Sequence, residues 1–277
     1  MKSFRRLLAL SLALLVLVFL SSLVLRPPAE QDLVSPKAEV SSSFSFAVFS
    51  DIHSDLASLE KALERAKQDG IEFIIVTGDL TTIGKASEFR KIKTTLDESL
   101  LPYYAVPGNH DLWSVGKQAN PFREVFGVDF QVFKKEQVKF ILVNNADASL
   151  GLEGVIDASG QKQGEWLKRE LAECPKVYCL VFAHMPLNHA YWAHIMGEDN
   201  PAVASQAANL VEEFKNYQVK ELFAGHIHFL SSYELDGLKT TTTGTLFSNK
   251  DTQTPRFLEV TVGLPEVEIE KKEIWLN

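Results

Sequence analysis

Short apolar runs recur along the chain, each closed by a glycine or a polar residue. Phe44 to Ser50, Phe73 to Thr77, Tyr103 to Val106, Val177 to Ala183 and Glu221 to Ala224 predict strands. Between them the apolar spacing lengthens to three and four. Leu56, Leu59, Leu63 and Ala66 share one face of a helix expected from about Asp55 to Asp69, and Gly70 ends it. A second helix is expected from about Lys85 to Ser99. A third spans about Gln163 to Glu173, with Trp166, Leu167 and Leu171 as core positions. Asn200-Pro201 is an N-cap followed by a first-turn proline. It opens a helix with Val203, Ala207, Leu210, Val211 and Phe214 on one face. Asp129–Phe133 and Val138–Val143 read as further strands, as do Ser232–Leu235, Leu238–Thr243, Phe257–Val262 and Val267–Ile274. The last four are expected to complete a second sheet. The strand–helix alternation at the start of this pattern predicts parallel strands joined by right-handed crossovers.

The beginning of the chain differs. Lys2, Arg5 and Arg6 precede Leu7 to Leu25, nineteen residues without a charge. At ~1.5 Å per residue that is about 28 Å of helix, close to the thickness of a bilayer core. No A-x-A site follows it and no cysteine is placed to carry a lipid; Arg26-Pro27-Pro28 comes instead. A retained membrane anchor is the expectation, with a cleaved signal peptide as the alternative. The basic residues would stay cytoplasmic and the rest of the chain would lie outside, or be secreted after cleavage. Residues 27–43 are rich in proline, serine and charge and read as a linker. Residues 44–277 have the length of one large α/β domain.

Charge then excludes one class of function. Setting aside residues 1–26, which hold four basic and no acidic groups, leaves 24 Lys+Arg against 36 Asp+Glu, a net charge of −12. Such a domain repels polyanions, so nonspecific nucleic-acid binding is not expected. Cys174 and Cys179 are the only cysteines. They are too few for a disulfide scaffold. Cys179 reads as a buried residue of its apolar run, although the pair could oxidise outside the cell.

The ends of the strands carry the chemistry. Phe44–Ser50 is followed by Asp51-Ile52-His53, Phe73–Thr77 by Gly78-Asp79, and Tyr103–Val106 by Pro107 and Gly108-Asn109-His110-Asp111. Val177–Ala183 is followed by His184, and Glu221–Ala224 by Gly225-His226-Ile227-His228. In parallel α/β sheets, ligands bind at the carboxyl ends of strands, so these five loops would meet at one edge. One strand-end histidine is most simply a satisfied polar residue at the sheet rim. Five of the chain's seven histidines in such loops, beside two aspartates and an asparagine, are not explained that way. Imidazole mixed with carboxylate oxygen suits Mn, Fe or Zn.

These motifs, D-x-H, G-D, G-N-H-D, a lone H and G-H-x-H in that order, resemble those of the calcineurin-like metallophosphoesterase superfamily, over roughly residues 44 to 250. The resemblance implies two stacked mixed β-sheets flanked by helices, a four-layer fold. It implies two divalent or trivalent metal ions, the first held by Asp51, His53, Asp79 and His228. The second would be held by Asp79, Asn109, His184 and His226, with Asp79 bridging both. It further implies a phosphoesterase in which a metal-bridging hydroxide attacks phosphorus while His110 assists the leaving oxygen. Asp111 would orient His110 or merely cap the loop. Thr82 stands where the purple acid phosphatase branch carries a tyrosine, and His53 is present where that branch lacks it, which points away from that branch.

The segment from Met185 to His194 is dense in imidazole and aromatic groups. His189, Trp192 and His194 are therefore candidate substrate contacts, unless the segment is a lid that only packs on the domain. Expected substrates are phosphate esters, small or lipid-linked, with a phosphodiester favoured. The alternative from another class is a non-catalytic scaffold on the same fold. Such a scaffold would be expected to have lost a ligand or the acid, and neither is missing.

Overall fold

Each predicted strand finds its place in one of two sheets. In a computed structural model, residues 43–113, 121–147, 162–190, 194–198, 200–248 and 254–276 are described. The expected membrane-spanning helix of Leu7–Leu25 and the linker after it, up to residue 42, lie outside them; Ser43, expected as the linker's last residue, opens the first strand. Among the described residues no helix is long and apolar enough to cross a membrane.

The first sheet holds β1 (Ser43–Phe49), β2 (Phe73–Val76) and β3 (Tyr103–Ala105), mutually parallel, with β10 (Arg256–Gly263) antiparallel to β1 and β11 (Glu268–Trp275) antiparallel to β10. The second runs β4 (Gln131–Lys135), β5 (Val138–Leu142), β6 (Tyr178–Phe182), β7 (Glu221–Ala224), β9 (Leu238–Thr242) and β8 (Ser231–Leu235). In it β5, β6, β7 and β9 are parallel. The four C-terminal strands thus do not build a sheet of their own. β8 and β9 extend the second sheet, whereas β10 returns to pair with β1, Ser43 opposite Gly263. The pairing buries Val260 and Val262 beside Phe44 and Phe46, a long-range gain that alternation along one strand does not reveal.

Alternation along the strands sorts the side chains into layers. Phe46, Val48, Phe73 and Ile75 meet Phe140, Leu142, Phe182 and Phe223 of the second sheet, with Phe46 and Phe140 edge to face at 5.4 Å. Ala47, Phe49, Ile74 and Val76 point the other way, onto α1 (Leu56–Gln68) and α2 (Ala86–Ser99). Val181 and Leu222 pack outward with α4 (Gln163–Leu171) and α5 (Pro201–Asn216), so helices flank both sheets. A short α3 (Pro121–Phe126) packs Phe122 beside Phe89 of α2. Asp55 caps α1 by accepting from the Ser58 amide at 3.0 Å, and Asn200 caps α5 by accepting from Ala202 at 3.0 Å.

Cys174 and Cys179 form a disulfide, Cα atoms 5.4 Å apart, between the turn after α4 and β6. Cys179 is buried, as its run predicts, but it is bonded rather than simply packed.

Candidate metal centre

All five strand-end loops reach one place, three from the first sheet and two from the second. Backbone bonds fix the neighbours within each sheet: Asp51 N–H donates to Gly78 O at 3.1 Å, His53 N–H to Asp79 O at 2.9 Å, and Gly225 N–H to His184 O at 2.9 Å. Bonds between the sheets join the halves. His226 N–H donates to Asp51 Oδ2 at 3.0 Å, and His184 Nδ1 lies 2.8 Å from Thr77 O. Glycine is required where these backbones approach. A Cβ on Gly108 would collide with the amide and carboxylate of Asp79, and one on Gly225 with the Ser50 side chain.

Backbone strain accompanies this convergence. Asp51, His53, Asp79, His226 and His228 all adopt positive φ, between 47° and 70°. This left-handed conformation costs a non-glycine residue on the order of 1 kcal/mol or more and persists only where surroundings impose it.

The side chains converge on two points. Around the first, His228 Nε2 is 3.2 Å from Asp51 Oδ1, and His53 Nε2 is 4.0 Å from Asp51 Oδ1 and 3.7 Å from Asp79 Oδ2. Around the second, His184 Nε2 lies 3.0 Å from Asn109 Oδ1, 3.2 Å from His226 Nδ1 and 3.4 Å from Asp79 Oδ1. Asp79 therefore offers one oxygen to each group. With Nδ1 facing the Thr77 carbonyl, a neutral His184 ring carries its proton there, and Nε2 is the atom turned toward Asp79, Asn109 and His226. Asp51 Oδ1 is buried between the His228 and His53 imidazoles. Two carboxylates, four imidazoles and an amide oxygen packed this closely form a mixed nitrogen and oxygen donor set that fits a cation.

The two carboxylates draw positive charge to this point. Burial opposes ionisation of Asp51, but His228, His184 and His53 hold its carboxyl far below the usual range. Burial likewise opposes ionisation of Asp79, and the adjacent His184 outweighs it. His184 is buried, which disfavours its charge, yet Asp79 and Asp51 push it up to about 9. His226 falls to about 3, through burial and the charge of His184.

His110 stands at the rim, its Nε2 4.0 Å from Asp79 Oδ2 and its Nδ1 3.0 Å from the Thr82 carbonyl. Asp111 does not orient it, contrary to one of the two expectations. Its carboxylate accepts from Gly108 N at 2.9 Å, Leu80 N at 3.1 Å, Thr81 N at 2.8 Å and Thr81 Oγ1 at 2.7 Å. It ties the G-D loop to the G-N-H-D loop, and burial with the nearby Asp79 charge pushes it up to about 7. Orientation of the imidazole falls to Thr82, whose hydroxyl also donates to His53 O at 2.8 Å.

The three candidate substrate contacts separate. His194 reaches the centre, its ring 5.9 Å from that of His226, and pairs with Glu198 at 3.1 Å. His189 packs against Tyr233 and lies 3.4 Å from Ser231 Oγ on β8. Trp192 lies outside the described residues. Sequence reasoning missed Asn145, whose Oδ1 accepts from the amides of His184 and Met185, both at 3.0 Å. Its signal was present, because Asn144-Asn145 closes the apolar run Val138–Val143 as the motifs close theirs. Arg256 was missed as well; its Nη2 donates to His228 O at 3.0 Å, and nothing local announces it.

Comparison with known proteins accords with this geometry. The family model for calcineurin-like phosphoesterase matches residues 44–230. The chain is 25% identical over 166 residues to a "Probable glycerophosphodiester phosphodiesterase GpdQ" of Arcobacter nitrofigilis, covering 58% of each chain. It is 23% identical over 186 residues to a "Probable cyclic nucleotide phosphodiesterase" of Psychrobacter arcticus, covering 62% of each. The matches thus span 58% and 62% of the length of these curated relatives. Two solved structures share the fold at 15% identity. Purple acid phosphatase PPD1 from yellow lupin has a TM-score of 0.58, covering 85% of this chain and 54% of its own. The protein TT1561 of Thermus thermophilus has a TM-score of 0.55, covering 83% and 99%.

Proposed function

The chain belongs to the calcineurin-like phosphoesterase family, and on that premise we propose that it is a dinuclear metal-dependent phosphoesterase acting on a phosphodiester. The observation that carries this reading is Asp79, with Oδ1 3.4 Å from His184 Nε2 in one donor group and Oδ2 3.7 Å from His53 Nε2 in the other. Asp51, His53, Asp79 and His228 would hold the first ion, and Asp79, Asn109, His184 and His226 the second, of Mn, Fe or Zn. Bound there, the ions would activate water near neutral pH and offset the charge building on the phosphoryl oxygens.

The chain's own residues do the rest. Thr77 fixes the tautomer of His184 and so points its lone pair inward. Thr82 holds His110 by Nδ1, which leaves Nε2 facing the site to protonate an alkoxide leaving group. The backbone amide of His110 donates to Asp79 Oδ1 at 2.9 Å, coupling the acid's position to the shared carboxylate. Glycerophosphodiesters and cyclic nucleotides, named for the relatives, are both small substrates compatible with an acidic domain that disfavours long polyanions.

The deciding experiment offers Mn or Zn to protein purified without chelator, then measures bound metal and hydrolysis of bis(p-nitrophenyl) phosphate. Binding of both ions with turnover is expected; less than one metal per chain would refute the reading. We also propose that the domain works outside the cytoplasm, anchored through Leu7–Leu25. The basic start, the uncharged stretch and the Cys174–Cys179 disulfide support this. Alkaline carbonate extraction that leaves the protein in the membrane, with the domain open to protease on spheroplasts, is the expected result. A soluble protein with its N-terminus intact would refute the anchor.

A further inference from the structure

The imidazoles at the rim belong to a longer file of rings. Phe247, His53, His110 and Trp113 follow one another with centroids 5.3, 4.5 and 3.7 Å apart. The inner two are the candidate ligand and acid, and the outer two carry no ligating atom. Phe247 is fixed in place: its N–H donates to Thr245 Oγ1 at 2.9 Å, and Ser248 N–H donates to Asp55 Oδ2 at 2.9 Å. Trp113 lies over the face of His110, tilted by 31°, and is still 60% exposed.

A lone exposed indole is ordinary on a protein surface. One stacked on the proton donor of a site is placed where substrate must pass. The leaving oxygen has to lie beside His110 Nε2 to take its proton, so the group attached to that oxygen continues outward past the imidazole. There it meets indole. A glycerol chain has no π face to offer that surface, whereas a nucleobase does.

We propose that Trp113 is a specificity-determining residue, a stacking platform for the base of a leaving nucleoside, and that the preferred substrate is accordingly a small nucleotide phosphodiester. This rests on the phosphoesterase reading above. The domain's charge of −12 beyond residue 26 keeps the class to cyclic mononucleotides and short dinucleotides rather than polymers.

The test compares adenylyl adenosine with glycerophosphoglycerol, since both release an alkoxide and depend equally on His110. In W113A the ratio of kcat/KM for the first over the second should fall about tenfold or more, mainly through KM, because stacking a base on an aromatic side chain is worth that much. W113F should recover most of the ratio, and metal content should match wild type in both variants. Equal losses on the two substrates would overturn the platform and make Trp113 a residue that positions His110. An unchanged ratio, or loss of metal in W113A, would overturn it too. If the wild type hydrolyses neither diester, the phosphoesterase reading falls. Equilibrium dialysis of adenosine 5′-monophosphate then decides Trp113 separately: weaker binding to W113A than to wild type supports the platform, and equal binding overturns it.

Discussion

Strand β7 is four residues long, and its two ends handle buried charge in opposite ways. At its start Glu221 is 1% exposed and fully answered. It accepts from Thr241 Oγ1 at 2.5 Å, pairs with Lys271 of β11 and lies 3.2 Å from Lys239 Nζ. At its other end Gly225-His226-Ile227-His228 meets Asp51, whose Oδ1 lies 3.2 Å from His228 Nε2 and 4.0 Å from His53 Nε2, and His226 Nδ1 faces another imidazole nitrogen. The partners of this buried carboxylate are imidazoles, whose charge depends on pH, rather than lysines. The first end is a structural ion network that joins the two sheets. The second gathers imidazoles around a carboxylate and holds positive φ at both its histidines, which marks a functional site rather than a structural one.

The comparison can be broken most sharply at Asp79. Asp79→Asn weakens the one carboxylate common to both donor groups, so metal affinity should drop by about 100-fold or more. Mass spectrometry of the purified variant reads this directly. Retention of a full metal load would mean that Asp79 is not shared.

Next in size is His110, which sits beside the donors without being counted among them. His110→Asn should cost roughly 10²–10⁴-fold on an alkyl phosphodiester. The loss should be distinctly smaller on a nitrophenyl diester, because nitrophenolate departs without a proton. Paired kcat/KM values, with metal quantified in each sample, check it. Loss of metal would move His110 into the ligand set, alongside His53 and Asp79, with which it forms a close group.

Glu221→Ala tests the other end of the strand. Lys271 would lose its partner at the sheet junction, and breaking a buried pair from one side costs about 3–5 kcal/mol. At ~2–4 °C per kcal/mol for a domain of this size, the melting temperature should drop by about 6–20 °C. Metal content measured below the transition should be unchanged. If it fell with stability, the two ends would not be independent.

The smallest effect is expected at Asp55, which caps α1 and also accepts from Ser248. Asp55→Ala should lower unfolding free energy by about 1–2 kcal/mol in denaturant titration. A loss as large as that at Glu221 would show that the loop carrying Phe247 contributes more to the fold than a cap does.

The convergence of these donor residues was legible because each motif sits where a buried strand must stop. Glycine or a polar residue ends the ladder there, and a run such as Phe73–Thr77 points to Asp79 without any knowledge of its partners. The helix limits were legible for the same local reason: Asn200 reads as a cap, and Asp55, where the first helix was expected to begin, proves to be one. Asp111 was not: beside His110 in sequence, its carboxylate is taken up by amides of Leu80 and Thr81, about thirty residues away. Arg256 supports His228 from a strand that no local pattern joins to that loop.

Sequence by itself therefore determined which residues end the strands, that they form a mixed nitrogen and oxygen donor set, and that the domain is acidic. Those are properties of neighbours along the chain, set by propensity and spacing. Tertiary structure decided that β10 closes onto β1 and that Asp79 lies between two donor groups. It also decided that Thr82 rather than Asp111 orients His110, and that Trp113 covers the imidazole. Each of these depends on backbone approach between segments far apart in sequence, where packing of the two sheets, not local preference, fixes the distance.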